Sequence, residues 1–187
     1  MSNTSRLKPL MVGLALLSIG FPCVSDAHRL DEYLQATRIS IELERIGVEM
    51  NLTPGAAVAD KVFATIDLDH NGGISPDEAV AYAKLVISSL ALNVDGQNRT
   101  LTLDGYTLPA LADMRNGEGV IRLRASAKTP RTAAGQHNLA FANRHRSDIG
   151  VYLINALMPV DERIRITAQS RDTLQNEFRM EFKVYER

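Results

Sequence analysis

The chain has 187 residues, a formal net charge of −1, no Trp, and only 5% aromatic residues. Such a length supports one ordinary domain with a core of adequate size. The near-neutral charge provides no basic field for nucleic acid, and so few aromatics leave no stacking platform for bases or sugars.

Residues 1–27 read as a secretory signal peptide. Arg6 and Lys8 supply the positive start, and Leu10 to Phe21 is an apolar run too short to span a bilayer comfortably. Ser25 and Ala27 are the small residues of a cleavage site before His28. Phe21 and Pro22, just ahead of Cys23, argue against a lipoprotein. An uncleaved membrane anchor is the alternative reading of the same stretch. The expected mature chain is 28–187, a single β-rich domain with no membrane span, periplasmic or secreted. Its one cysteine, Cys23, leaves with the leader, so neither a disulfide framework nor thiol chemistry is expected.

Strand patterns open the mature chain. Ile39, Ile41 and Leu43 alternate with polar residues, then Val48, Met50 and Leu52 do the same after a turn expected at Arg45-Ile46-Gly47. This predicts a hairpin with one buried face. Thr53-Pro54-Gly55 breaks it. The period then changes to that of a helix, over roughly 57–66 and again over 76–90. Val62, Phe63 and Ile66 share one face of the first helix. Ala79, Tyr82, Ala83 and Val86 form the apolar stripe of the second.

Between them, residues 67–78 read Asp-Leu-Asp-His-Asn-Gly-Gly-Ile-Ser-Pro-Asp-Glu. Asp67, Asp69 and Asn71 place oxygen side chains on alternate residues. Gly72 permits a sharp turn that a Cβ would obstruct. Gly73 is placed to offer a backbone carbonyl, Ser75 a hydroxyl, and Glu78 two carboxylate oxygens. Calcium takes 6–8 oxygens at about 2.3–2.6 Å, and this spacing can wrap them around one point. Ser75 and Glu78 also form an S-x-x-E capping box, with Pro76 at the first helical position. An acidic turn between two helices is the plainer reading, since Asp, Asn and Gly are common in turns.

The loop and both flanks resemble the EF-hand family. The resemblance implies a Ca²⁺ site formed by Asp67, Asp69, Asn71, Gly73, Ser75 and Glu78. EF-hands usually pair through the residue at the position of Ile74, and the sequence holds no second loop. Either the β-domain braces a single hand, or two chains pair their hands. Three carboxylates in a lone exported hand imply weak binding, on the order of 10⁻⁴ M, in keeping with a structural or local-order role.

After the second helix the chain returns to strands. Leu92 and Val94 precede a turn at 95–98, then Leu101 and Leu103. The stretch from Thr107 to Glu118 is irregular, anchored by Leu108, Leu111 and Met114. Ile121 to Lys128 alternates strongly. His137, Leu139 and Phe141 mark the next strand. Val151 to Leu157 is nearly all apolar and reads as a strand buried on both faces. Ile164, Ile166 and Ala168 alternate, as do Phe178, Met180, Phe182 and Val184. Some eight or nine strands with turns between them predict a mainly β, α+β fold: an antiparallel β-sandwich with an EF-hand helix-loop-helix inserted at about 57–90.

Other candidates are weaker. His28, as a mature N-terminus, could bind copper or nickel through its amine and imidazole. The basic run Asn143 to Asp148 reads as a solvated hairpin tip, with an anion- or partner-binding loop as the functional alternative. His137 reads as a satisfied core or edge histidine. There is no G-x-S-x-G, no reactive cysteine, no zinc motif and no acid/base pair singled out by spacing, so an enzyme is not expected. Residues 28–36 (His-Arg-Leu-Asp-Glu-Tyr-Leu-Gln-Ala), together with 143–146 and 151–157, resemble exported bacterial domains that precede membrane regions like those of hydrogenase/urease-accessory nickel transporters. That resemblance implies an accessory or interaction domain whose partner is a membrane metal transporter.

Overall fold

The computed structural model describes residues 31–186. The expected leader and His28 lie outside them. Among the described residues, two five-stranded sheets face each other in a mainly β sandwich. One sheet is built from β1 (Tyr33–Ile41), β2 (Arg45–Pro54), β5 (Thr102–Thr107), β6 (Ile121–Lys128) and β8 (Gly150–Ala156). Its order is β5-β6-β2-β1-β8. The other holds β3 (Leu90–Val94), β4 (Gln97–Asn98), β7 (Gly135–Asn143), β9 (Ile164–Arg171) and β10 (Glu177–Val184), in the order β4-β3-β7-β10-β9. Among the described residues, no helix is long and apolar enough to cross a membrane.

Period-2 alternation explains the core. Ile39, Met50, Leu52, Ile121 and Leu123 point inward from the first sheet, and Leu139, Phe141, Phe178, Met180 and Phe182 from the second. A fully buried side chain of this size stabilises the fold by about 1.5–3 kcal/mol before its ordering entropy is counted. The β1–β2 hairpin pairs Tyr33 with Pro54 and Ile41 with Ile46. Its turn is earlier than expected. Residues 42–44 turn, while Ile46 and Gly47 are already in β2, with Ile46 buried. The apolar Ile46 faces the core and is better placed in the ladder than in a turn.

Two further expectations are corrected. One pair is parallel: β1 aligns with β8, Tyr33 beside Gly150 and Ile39 beside Ala156. And β8 is an edge strand buried on one face only. Tyr152 and Ile154 point inward, while Val151 and Leu153 are 37% and 43% exposed. An all-apolar run carries no alternation to tell one buried face from two, so composition alone misreads it.

Among the described residues, three helices complete the fold. α1 covers only Ala59–Phe63, flanked by turns, where a helix over 57–66 was expected. Bonds from Thr65 N–H to Val62 O and Ile66 N–H to Phe63 O tighten its exit into 3₁₀ geometry. α2 runs Pro76–Ser88, two residues short of the expected end. The irregular stretch contains α3, Leu111–Arg115, and Met114 on it is fully buried, as an anchor should be. Val62, Phe63 and Ile66, and Ala79, Tyr82, Ala83 and Val86, are all buried, so both helical faces dock as their spacing predicts.

Candidate metal centre

Local chemistry explains the loop between α1 and α2. Ser75 N-caps α2: its Oγ accepts from Glu78 N–H at 3.3 Å, and its own N–H donates to Glu78 Oε2 at 2.8 Å. The capping box and Pro76 at the helix start therefore form as the sequence implies. Gly72 takes φ +83°, a left-handed conformation that would strain an L side chain. His70 also has positive φ, at 57°.

The loop closes on its carboxylates. Asp67 accepts from Asn71 N–H at 3.1 Å on Oδ1 and from Gly72 N–H at 2.9 Å on Oδ2. Glu78 Oε1 reaches back across the loop to Leu68 N–H at 2.7 Å and Asp69 N–H at 3.3 Å. Asp69 accepts from Asn71, through its backbone N–H at 3.1 Å and its Nδ2 at 2.8 Å. Asn71 Oδ1 accepts from Gly73 N–H at 2.7 Å. Asp67 and Glu78 are buried, whereas Asp69 is exposed. The Ser75 N–H and hydroxyl, aided by the N–H groups of Leu68 and Asp69, pull the Glu78 carboxyl down to about 2 from 4.5, against the opposing effect of burial.

One carboxylate oxygen from each of Asp67, Asp69 and Glu78 lies within 4.8 Å of the others. Among the described residues this is the one set of three or more His, Cys, Asp or Glu groups drawn together so closely. Oxygens held at about 2.3–2.6 Å from a common centre stand no more than roughly 4.6–5.2 Å apart. The spacing thus fits a hard divalent cation, and the all-oxygen donor set excludes a preference for a soft metal. Asn71 and Ser75 complete the loop as neutral oxygen-bearing side chains, and Gly73 occupies the turn beside Asn71.

Packing outside the loop holds it in place. Ile74 is half-buried and packs against the core of its own chain. Lys61 on α1 bonds Asp148 at 2.7 Å, and Arg115 on α3 bonds Asp60 at 2.7 Å. Both pairs are exposed and contribute little individually.

A second polar cluster, absent from the sequence reading, joins α2 to the sandwich. The phenol oxygens of Tyr33 and Tyr82 are 2.8 Å apart, and Tyr82 Oη is 3.1 Å from His145 Nε2. Gln35 Nε2 and Tyr152 Oη both donate to His145 O, at 2.8 and 2.9 Å, and Asn143 Nδ2 donates to Gln35 Oε1 at 2.9 Å. Asn143 and His145 are buried, which corrects the reading of 143–148 as a solvated tip. Burial, and then the neighbouring Arg146, push the His145 imidazole down to about 4. No signal in the local sequence separates His145 from its charged neighbours, because the partners that bury it come largely from two distant segments, β1 and α2. His137 is half-buried on β7, the central strand of its sheet: Nδ1 meets Asp95 Oδ2 at 2.7 Å, Nε2 meets Ala133 O at 2.9 Å, and its ring stacks on Phe182.

No family model and no curated protein matches the chain.

Proposed function

We propose that this protein is an exported calcium-binding module in which a single EF-hand is braced by a β-sandwich. Support for the calcium site rests on one observation: Asp67, Asp69 and Glu78 bring carboxylate oxygens within 4.8 Å of one another. Asn71, Gly73 and Ser75 are the further ligands this reading assigns. Calcium neutralises the three clustered charges and fastens the start of α2 to the end of α1, so its role is structural. Ile74 packs on its own core, which favours bracing by the sandwich over pairing of two hands.

Calorimetric titration with calcium, magnesium, nickel and copper tests the reading. One calcium per chain is expected, at a dissociation constant on the order of 10⁻⁴ M, with binding lost in Asp67→Ala. Tight nickel or copper binding that disappears when His28 is replaced would instead assign the protein to transition-metal handling. Sedimentation should give the same mass with and without calcium; a calcium-dependent doubling would overturn bracing in favour of paired hands.

A second reading, an interaction domain for a membrane protein, draws on the outer face of β1 and β8. Leu34 and Val151 are paired in register and Leu153 follows on the same face, all three at least 37% exposed. Contiguous exposed apolar surface of this kind marks interaction sites. Leu153→Glu is expected to change stability by no more than about 0.5 kcal/mol while abolishing co-purification with a membrane fraction. If that variant co-purifies as well as the wild type, this face is not the interface.

A further inference from the structure

A cleft of about 700 Å³ lies between α2 and β5, along the flank of the helix beside its buried face. That volume falls within the roughly 300–1,000 Å³ of small-molecule sites. Val80 and Ile87 on α2 form one wall, and Leu101, Leu103 and Tyr106 on and beside β5 form the other. From Val80 to Ser88 the helical wall extends about 12 Å at 1.5 Å per residue. Ser88, Thr100 and Thr102 also line the cleft, and all three are exposed, so the polar residues sit at its solvent side.

Two cations enter this aliphatic slot. Lys84 is exposed and Arg99 is half-buried. Among the described residues neither forms an ion pair. The carboxylate among the lining residues, Asp104, is held by Arg45 at 2.8 Å. Asp95, close enough for the charge of Arg99 to act on it, is engaged by His137 Nδ1 at 2.7 Å and by Asn138 N–H at 2.8 Å. Arg99 Nε is shielded from solvent and has no acceptor among the described residues. A buried guanidinium N–H without a partner is costly, and an anion is the group that relieves it.

We propose that the cleft between α2 and β5 binds a single-chain anionic amphiphile, with the carboxylate taken by Arg99 and Lys84 and the acyl chain laid along Val80, Ile87, Leu101 and Leu103. A slot with aliphatic walls, one aromatic side chain and two free cations matches an unbranched chain with an anionic head better than it matches a planar ring or a sugar. This inference is independent of the calcium reading, because none of the loop ligands lines the cleft.

The experiment is calorimetric titration of the protein with dodecanoate below its micelle concentration, alongside dodecyl maltoside and dodecyltrimethylammonium. Dodecanoate is expected to bind one per chain, about ten-fold or more tighter than the neutral amphiphile, which corresponds to one charge-assisted contact. Arg99→Gln and, at an exposed position, Lys84→Gln should each weaken dodecanoate by about ten-fold and leave dodecyl maltoside unchanged. Leu103→Trp, which fills the slot, should abolish binding of both, with circular dichroism confirming the fold. Equal binding of the three amphiphiles, dodecanoate binding that survives Arg99→Gln and Lys84→Gln, or no binding at all would overturn the proposal.

Discussion

Tyr82 Oη meets His145 Nε2 at 3.1 Å, and so ties α2, one turn beyond Glu78, to the loop between β7 and β8. The same oxygen is 2.8 Å from that of Tyr33 on β1. One phenol therefore bridges three segments far apart in sequence. Tyr82→Phe removes the bridge and keeps the ring. Its expected cost is about 1–3 kcal/mol, because two buried polar groups each lose a partner. Urea denaturation should show this as a lower midpoint with an unchanged slope; an unchanged midpoint would mean that the bridge carries no stability.

His145 makes the fold sensitive to mild acid. Burial and Arg146 hold its pKa near 4 in the folded state, below the ordinary 6.5. The unfolded chain therefore binds more protons between these values, and stability falls as pH drops from about 6.5 towards 4. The full shift corresponds to roughly 3 kcal/mol at about 1.4 kcal/mol per unit. Melting temperatures across this range should decline in the wild type and decline less in His145→Gln. Parallel curves would remove His145 as the cause.

Glu78 has a separate and lower acid limit. Its carboxyl titrates at about 2 when folded against 4.5 ordinarily, so its contribution is complete above 4.5 and is lost as pH falls through 2. Glu78→Gln keeps the side-chain size and removes the charge. At calcium about ten times the dissociation constant, the wild type should gain roughly 1.4 kcal/mol. The variant should remain folded and gain nothing, as read by thermal unfolding with and without calcium. Calcium-dependent stabilisation that persists in the variant would place the ion elsewhere.

Gly150 is required for close approach rather than for a turn. A Cβ there would stand 2.8 Å from Arg146 O, Gln35 Nε2 and Tyr152 Oη alike. Gly150→Ala must push on the buried cluster around His145 and on the bond from its own N–H to Arg146 O. The expected loss is about 1–3 kcal/mol, measurable by urea denaturation. A loss below about 0.5 kcal/mol would show that the cluster yields easily.

The acidic cluster was legible because its three carboxylates lie within twelve residues and the geometry is local. Asp67, Asp69 and Glu78 need only the turn at Gly72 and the cap at Ser75 to meet. The strands were legible wherever polar and apolar residues alternate, as in β6 and β10. Legibility failed where the deciding partner is distant. The one-sided burial of β8 depends on the other sheet covering only one face of its own. The burial of His145 depends on Tyr33, Gln35 and Tyr82. The parallel β1–β8 pair has no local signature, since register between separated strands is set by the assembled faces.

That parallel pair also sets an order of events. β1, near the start of the chain, finds its second neighbour only when Gly150 to Ala156 is present. Closing so long a loop before the contact is rewarded makes for slow folding. Until then Tyr33, Gln35 and Thr37 have one flank without a ladder, while the hairpin with β2 can form from near neighbours alone. A chain ending before β8 would lose the edge that seals the sheet, so it would be prone to associate through β1.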